Sequence, residues 1–178
     1  GLRQILRKIN HRRHLIGLHP SYDSYDDINQ IKTEANTLQK VCREEKISQN
    51  EWGGRQHFLR WTWPTTSEAW EKTWFHFDST LGYADQPGFR CGTCHEYPMF
   101  SPTEQRSLNI RQRPLIVMEA SVLADRYLGL GYGEQAFSLV KNLKQQCRKH
   151  DGYFTLLWHN CQLTTENAKR CYLDWLDA

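Results

Sequence analysis

The chain has 178 residues, 39% of them hydrophobic and 24% charged, with a net charge of +3. That composition supports one packed domain over residues 1–178 and excludes an intrinsically disordered chain. No apolar run approaches the roughly 20 residues of a membrane helix, so these residues contain no membrane span.

Helical spacing of Leu2, Ile5, Leu6 and Ile9 predicts a helix over residues 2–10. Its basic stretch, Leu6 to His14, reads as a solvated helix end rather than a nucleic-acid patch. The chain starts at Gly1 without Met, inside this helix, so an N-terminally incomplete piece is expected. "HLIGLH" (14–19) reads as a buried strand, followed by the polar loop "PSYDSY". A strong helix is expected over 26–47, with Ile28, Ile31, Ala35, Leu38 and Val41 on one face and Asp26 or Asp27 as cap. A short segment at 53–57, a helix over 65–73, a strand over 74–79 and a weaker strand over 88–93 follow. The last third reads as a buried strand (113–121), a helix (132–150), a buried strand (152–160) and a closing helix (167–177). Strands alternate with helices, and several strands are apolar throughout. That pattern predicts an α/β domain with a mostly parallel sheet covered by helices, without deciding between a barrel and an open sheet.

Groups able to do chemistry gather where these strands end: His19, Arg55, His57, Asp78, Arg90, Glu119 and His159. In parallel α/β folds the C-terminal strand ends carry the active site. Each residue also has a structural reading: a hydrogen-bonded histidine, an arginine ion pair, a turn cap made by Asp78 with Ser79 and Thr80, an N-cap region at Glu119. Seven Trp and eight Tyr suit either a core or the stacking walls of a sugar site. The six cysteines are scattered rather than densely spaced, which predicts reduced thiols and a cytoplasmic setting. Cys91 and Cys94 form a Cys-x-x-Cys pair that suits zinc or dithiol chemistry, or simply a loop.

The blocks "GLHPSYDSY", "GGRQHFLRW", "HFDSTLGYADQPGFRCGTCHEYP" and "LLWHN" resemble, in that order, the second to fifth motifs of the polysaccharide deacetylases of the NodB-homology type, in a divergent bacterial branch. The resemblance covers roughly residues 10–165. It implies a distorted (β/α) barrel, incomplete at the N-terminus, that binds a divalent metal, usually zinc, and removes an acetyl group from an N- or O-acetylated sugar of a polysaccharide or its precursor. By the same resemblance His19 is a metal ligand, and Asp23 stands where a second ligating histidine is usual. His57 stands in place of a proline and is a substitute ligand. Arg55 orients the base, the backbone N–H of Phe58 faces the oxyanion, Asp78 helps orient the acid, and His159 is the general acid. Arg90 and Tyr97 or Phe100 are expected to contact the sugar. The first motif, a pair of aspartates on an earlier strand, has no counterpart before residue 14. A catalytically impaired, sugar-binding member of the same fold is therefore the second expectation, and a thiol-based metal or redox protein the third.

Overall fold

A computed structural model describes residues 1–178. The architecture is mixed α/β, with six α-helices, a four-stranded mixed sheet and a separate two-stranded parallel pair. No closed barrel is formed. No helix is long and apolar enough to cross a membrane. The chain divides into two compact units, residues 1–80 with 97–113 and residues 81–96 with 114–178.

The first unit holds α1 (Leu2–His11), α2 (Ile28–Glu44), β1 (Gly53–Gly54), α3 (Thr65–Glu71), β2 (Phe77–Asp78), β3 (Tyr97–Ser101) and β4 (Arg106–Gln112). Asp27 caps α2 by accepting from the N–H groups of Asn29 and Gln30 at 2.9 and 3.0 Å. Ile31, Ala35 and Cys42 turn one face of α2 inward. The sheet order is β1-β2-β4-β3, with β1, β2 and β4 parallel and β3 antiparallel at the edge. Trp70 on α3 packs with Phe75, Met99, Leu108 and Ile110 over this sheet.

The second unit holds β5 (Val117–Met118), α4 (Glu119–Leu123), α5 (Glu134–Lys149), β6 (Leu156–Leu157) and α6 (Glu166–Asp177). β5 and β6 run parallel, with Met118 opposite Leu157. Ala168, Cys171 and Trp175 point inward from α6 at helical spacing and meet Val140 and Cys147 of α5 in one buried cluster.

The helices lie close to where the sequence places them; β1, β2, β5 and β6 fall inside the expected segments 53–57, 74–79, 113–121 and 152–160 but are only two residues long, and two expected strands are absent. Residues 14–19 form only a bridge, Leu18 to Gly54, closed by the Leu18 N–H on the Gly53 carbonyl (3.0 Å) and the Arg55 N–H on the Leu18 carbonyl (2.9 Å). The two backbones approach so closely that a side chain on Gly54 would collide with the Leu18 carbonyl oxygen and the Trp70 ring. Residues 88–93 are turns and bends rather than a strand. The hairpin β3–β4, which the sequence reading passes over, supplies the edge of the sheet instead. Its second strand shows the alternation of a one-sided sheet, with Leu108, Ile110 and Gln112 buried and Asn109 and Arg111 exposed.

Candidate functional site

In the first unit the Leu18–Gly54 bridge sets His19 beside the segment that follows β1. The His19 ring Nδ1 lies 2.8 Å from the Arg55 carbonyl oxygen. That bond makes Nδ1 the protonated nitrogen and leaves Nε2 as the ligating or accepting atom. The His57 ring stacks on His19 with centroids 4.9 Å apart and planes 22° from parallel. The Phe58 ring stacks on His57 in turn at 5.3 Å, and the Tyr22 ring stands edge-on to both. Phe58 is 70% exposed and has φ 56°, and Leu59 follows at φ 54°. Two successive non-glycine residues in the left-handed region cost about 1–3 kcal/mol each. The turn that lifts the Phe58 ring into solvent is therefore held against its own preference, and its inward anchor is the buried Leu59.

Beneath this surface lies a buried polar latch. Arg55 donates from Nε to the Ser79 carbonyl oxygen (2.7 Å) and from Nη2 to Ser79 Oγ (2.9 Å). Asp78, fully buried, accepts from the Thr80 N–H (2.8 Å) and from the Thr80 hydroxyl. The Thr80 hydroxyl oxygen in turn accepts from the Gln56 N–H (2.9 Å). Burial lifts the Asp78 carboxyl to about 7, against the pull of its Thr80 bonds and the Arg55 charge. Burial likewise lowers Arg55 to about 10, with Asp78 opposing, so Arg55 is charged at neutral pH. Asp78 is thus the turn cap that its sequence neighbours suggested.

Asp23 is paired with Arg60. Its carboxylate Oδ1 accepts from Arg60 Nη1 at 2.8 Å, and the Arg60 guanidinium lies over the Tyr22 and Tyr25 rings at 4.1 and 3.8 Å. No group of three or more His, Cys, Asp or Glu side chains converges in the arrangement a metal needs. The chemistry of His19 and His57 fits two nitrogen ligands of a divalent metal, with the Nδ1 of His19 already held by a carbonyl as ligating histidines usually are. Asp23 does not complete the set in this arrangement.

In the second unit β5 and β6 end side by side, and each delivers one group. Glu119, the first residue of α4, is 1% exposed. Its Oε1 accepts from the His159 N–H (3.1 Å) and also meets the His159 ring Nδ1. Its Oε2 is buried without a hydrogen-bond partner. The His159 side chain is 47% exposed. The carboxylate fixes the ring with Nδ1 protonated, which leaves Nε2 as the accepting nitrogen.

Of the remaining expected contacts, Arg90 donates to the Gly82 carbonyl oxygen at 2.9 Å within the second unit, and Tyr97 sits at the start of β3 opposite Gln112 in the first. The resemblance implies that Asp78 helps orient the acid; the carboxylate on His159 is Glu119, which follows the apolar "LIVM" as His159 follows "FTLLW". Two adjacent apolar strands each ending in a polar group is the signal that pairs them. Tyr22 and Gln56 carry no such signal and emerge only from the fold.

No protein-family model matches the chain, and neither the curated proteins nor the solved structures give a match.

Proposed function

We propose that this protein is a metal-dependent carbohydrate deacetylase, a hydrolase that removes an acetyl group from an N- or O-acetylated sugar on a scaffold related to the distorted (β/α) barrel of the polysaccharide deacetylases. One observation carries the reading: a carbonyl-anchored histidine, a second histidine stacked on it, and a strained turn presenting an exposed aromatic ring beside them. His19 and His57 would hold the metal, zinc by the resemblance. When bound, it supplies Lewis-acid polarisation of the acetyl carbonyl and acidification of a water. The chain's own residues do the rest. Phe58 offers its ring to the apolar face of a sugar and its backbone N–H to the carbonyl oxygen as negative charge develops there. Arg55 fixes the position of the strand end through Ser79. In the second unit His159, its tautomer set by Glu119, is the residue that the resemblance alone names as the acid for the leaving nitrogen or oxygen.

A second reading is favoured by the Asp23–Arg60 pair, which keeps the only nearby carboxylate of the second motif away from a ligand role. On it, the protein binds acetylated sugars without cleaving them.

The test is bound metal by elemental analysis together with acetate release from an N-acetylated chitooligosaccharide. About one zinc-like ion per chain, lost in both His19→Ala and His57→Ala, with acetate release that falls about 10²–10⁴-fold in His159→Ala at unchanged metal content, is the result the enzyme reading expects. Sugar binding with neither metal nor acetate release establishes the second reading. Full metal content in both histidine variants overturns the ligand assignment.

A further inference from the structure

We propose that Cys94 and Cys147 are a modification site: the pair closes into an intramolecular disulfide by exchange with a small-molecule disulfide. The Cys-x-x-Cys spacing directs attention to Cys91 as the partner of Cys94, but the thiol hydrogen-bonded to Cys94 is that of Cys147, 53 positions further along. Both are buried members of one cluster. The backbone around them is closed by three bonds. The Gly152 N–H donates to the Cys147 carbonyl oxygen (2.8 Å), the Tyr153 N–H donates to the Cys94 carbonyl oxygen (2.9 Å), and the His95 ring Nε2 meets the His150 carbonyl oxygen (2.9 Å). Gly152 completes the fit, because any Cβ at that position would occupy the space of the Cys94 sulfur. The loop that carries Cys94 is therefore already fastened to the end of α5, and the two thiols are hydrogen-bonded to each other there. This inference is independent of the deacetylase reading.

The exchange balances as follows. The Cys94 thiolate, having lost its proton to solvent, attacks one sulfur of the small disulfide, forms a mixed disulfide and expels one small thiolate. The Cys147 thiolate then attacks the Cys94 sulfur, forms the Sγ–Sγ bond and expels the second. Two protein thiols give up two electrons and two protons, and the small disulfide is reduced to two thiols. Burial pushes the Cys147 thiol up to about 12, with Cys94 adding to the rise. The second step is accordingly slow, on the scale of minutes to hours, and faster at alkaline pH.

The full chain is incubated with glutathione disulfide, its remaining thiols are alkylated, and it is mapped with trypsin without reduction. The expected product joins fragment 91–106 to fragment 145–148, lowers the intact mass by two hydrogens, and is reversed by a dithiol reductant. Because fragment 91–106 contains both Cys91 and Cys94, the joined product must survive in Cys91→Ser and vanish in Cys94→Ser. Its survival in Cys94→Ser overturns the assignment. So does recovery of Cys94 and Cys147 alkylated in the wild-type chain after an exposure that modifies the exposed Cys161. The wild-type map decides the matter whether or not a serine variant folds.

Discussion

Each unit places a carboxylate at a parallel strand end, and the two are used differently. Asp78 in the first unit is wholly enclosed: Thr80 bonds to it twice, and the Arg55 charge stands nearby, itself tied to Ser79. Glu119 in the second unit is equally buried but spends one oxygen on His159, a side chain half in solvent, and leaves the other oxygen unpaired. A carboxylate satisfied from all sides holds a fold together. A carboxylate that grips one exposed imidazole and is otherwise unsatisfied sets that imidazole up for proton transfer. Strand-end position, which the sequence displays, does not separate these roles; the neighbours do.

The sharpest way to break the comparison is pH. In the unfolded chain Asp78 ionises near pH 4, and in the folded chain at about 7. Between those values the unfolded chain has released a proton that the folded chain retains, so raising the pH favours unfolding. The penalty is absent below about pH 4 and complete above about 7. At about 1.4 kcal/mol per pKa unit, stability should fall by a few kcal/mol across that window. Asp78→Asn should flatten this segment of the profile, as read by urea midpoints at pH 4.5 and 7.5. A wild-type profile that is flat here and falls below pH 4 would mean Asp78 is held ionised.

Removing the cation tests the same latch from the other side. Arg55→Met deletes both bonds to Ser79 and the charge facing Asp78, and should cost roughly 2–3 kcal/mol at neutral pH. The cost should shrink at pH 5, where Asp78 is neutral. A pH-independent loss would reduce Arg55 to a packing residue. In the second unit, Glu119→Gln keeps the size of the side chain and should cost only about 1 kcal/mol. It should leave KM near its wild-type value, lower kcat, and let His159 populate both tautomers, visible in the ring ¹⁵N shifts. An unchanged tautomer with unchanged kcat would remove Glu119 from the positioning role.

How far the sequence alone reaches follows from the kind of signal each element carries. Helices announce themselves over many residues: the spacing of Ile31, Ala35 and Cys42, and the cap at Asp27, are local facts, and α2, α5 and α6 fall where expected. Strands of two residues carry almost no pattern, and here four of the six are that short. "LIG" reads as a strand because it is apolar, yet it meets β1 through a single bridge that depends on Gly54 having no side chain. The β3–β4 hairpin shows in the alternation of Leu108, Ile110 and Gln112, a period easily lost beside the Cys-x-x-Cys block. At the candidate site, residue type and strand-end position were enough to single out His19, His57 and His159. The local cap of Asp78 by Thr80 was legible, but distant partners were out of reach: that Asp23 belongs to Arg60 and Glu119 to His159 depends on contacts 37 and 40 positions apart.

The smallest effect is the most informative about the proposed metal site. Asp23 is 89% exposed at its side chain, so solvent screens its pair with Arg60 and the pair contributes little to stability. Arg60 itself is held by the Tyr22 and Tyr25 rings and by the Tyr22 carbonyl, and does not need Asp23 to stay in place. Arg60→Gln gives up these exposed contacts, a smaller loss than that of Arg55→Met, and releases Asp23. If Asp23 is a third ligand held in reserve beside His19 and His57, zinc affinity should rise in Arg60→Gln and fall again in the double variant with Asp23→Asn. If the carboxylate has no part in the site, both variants should bind zinc as the wild type does, and the two histidines must be completed by something other than Asp23.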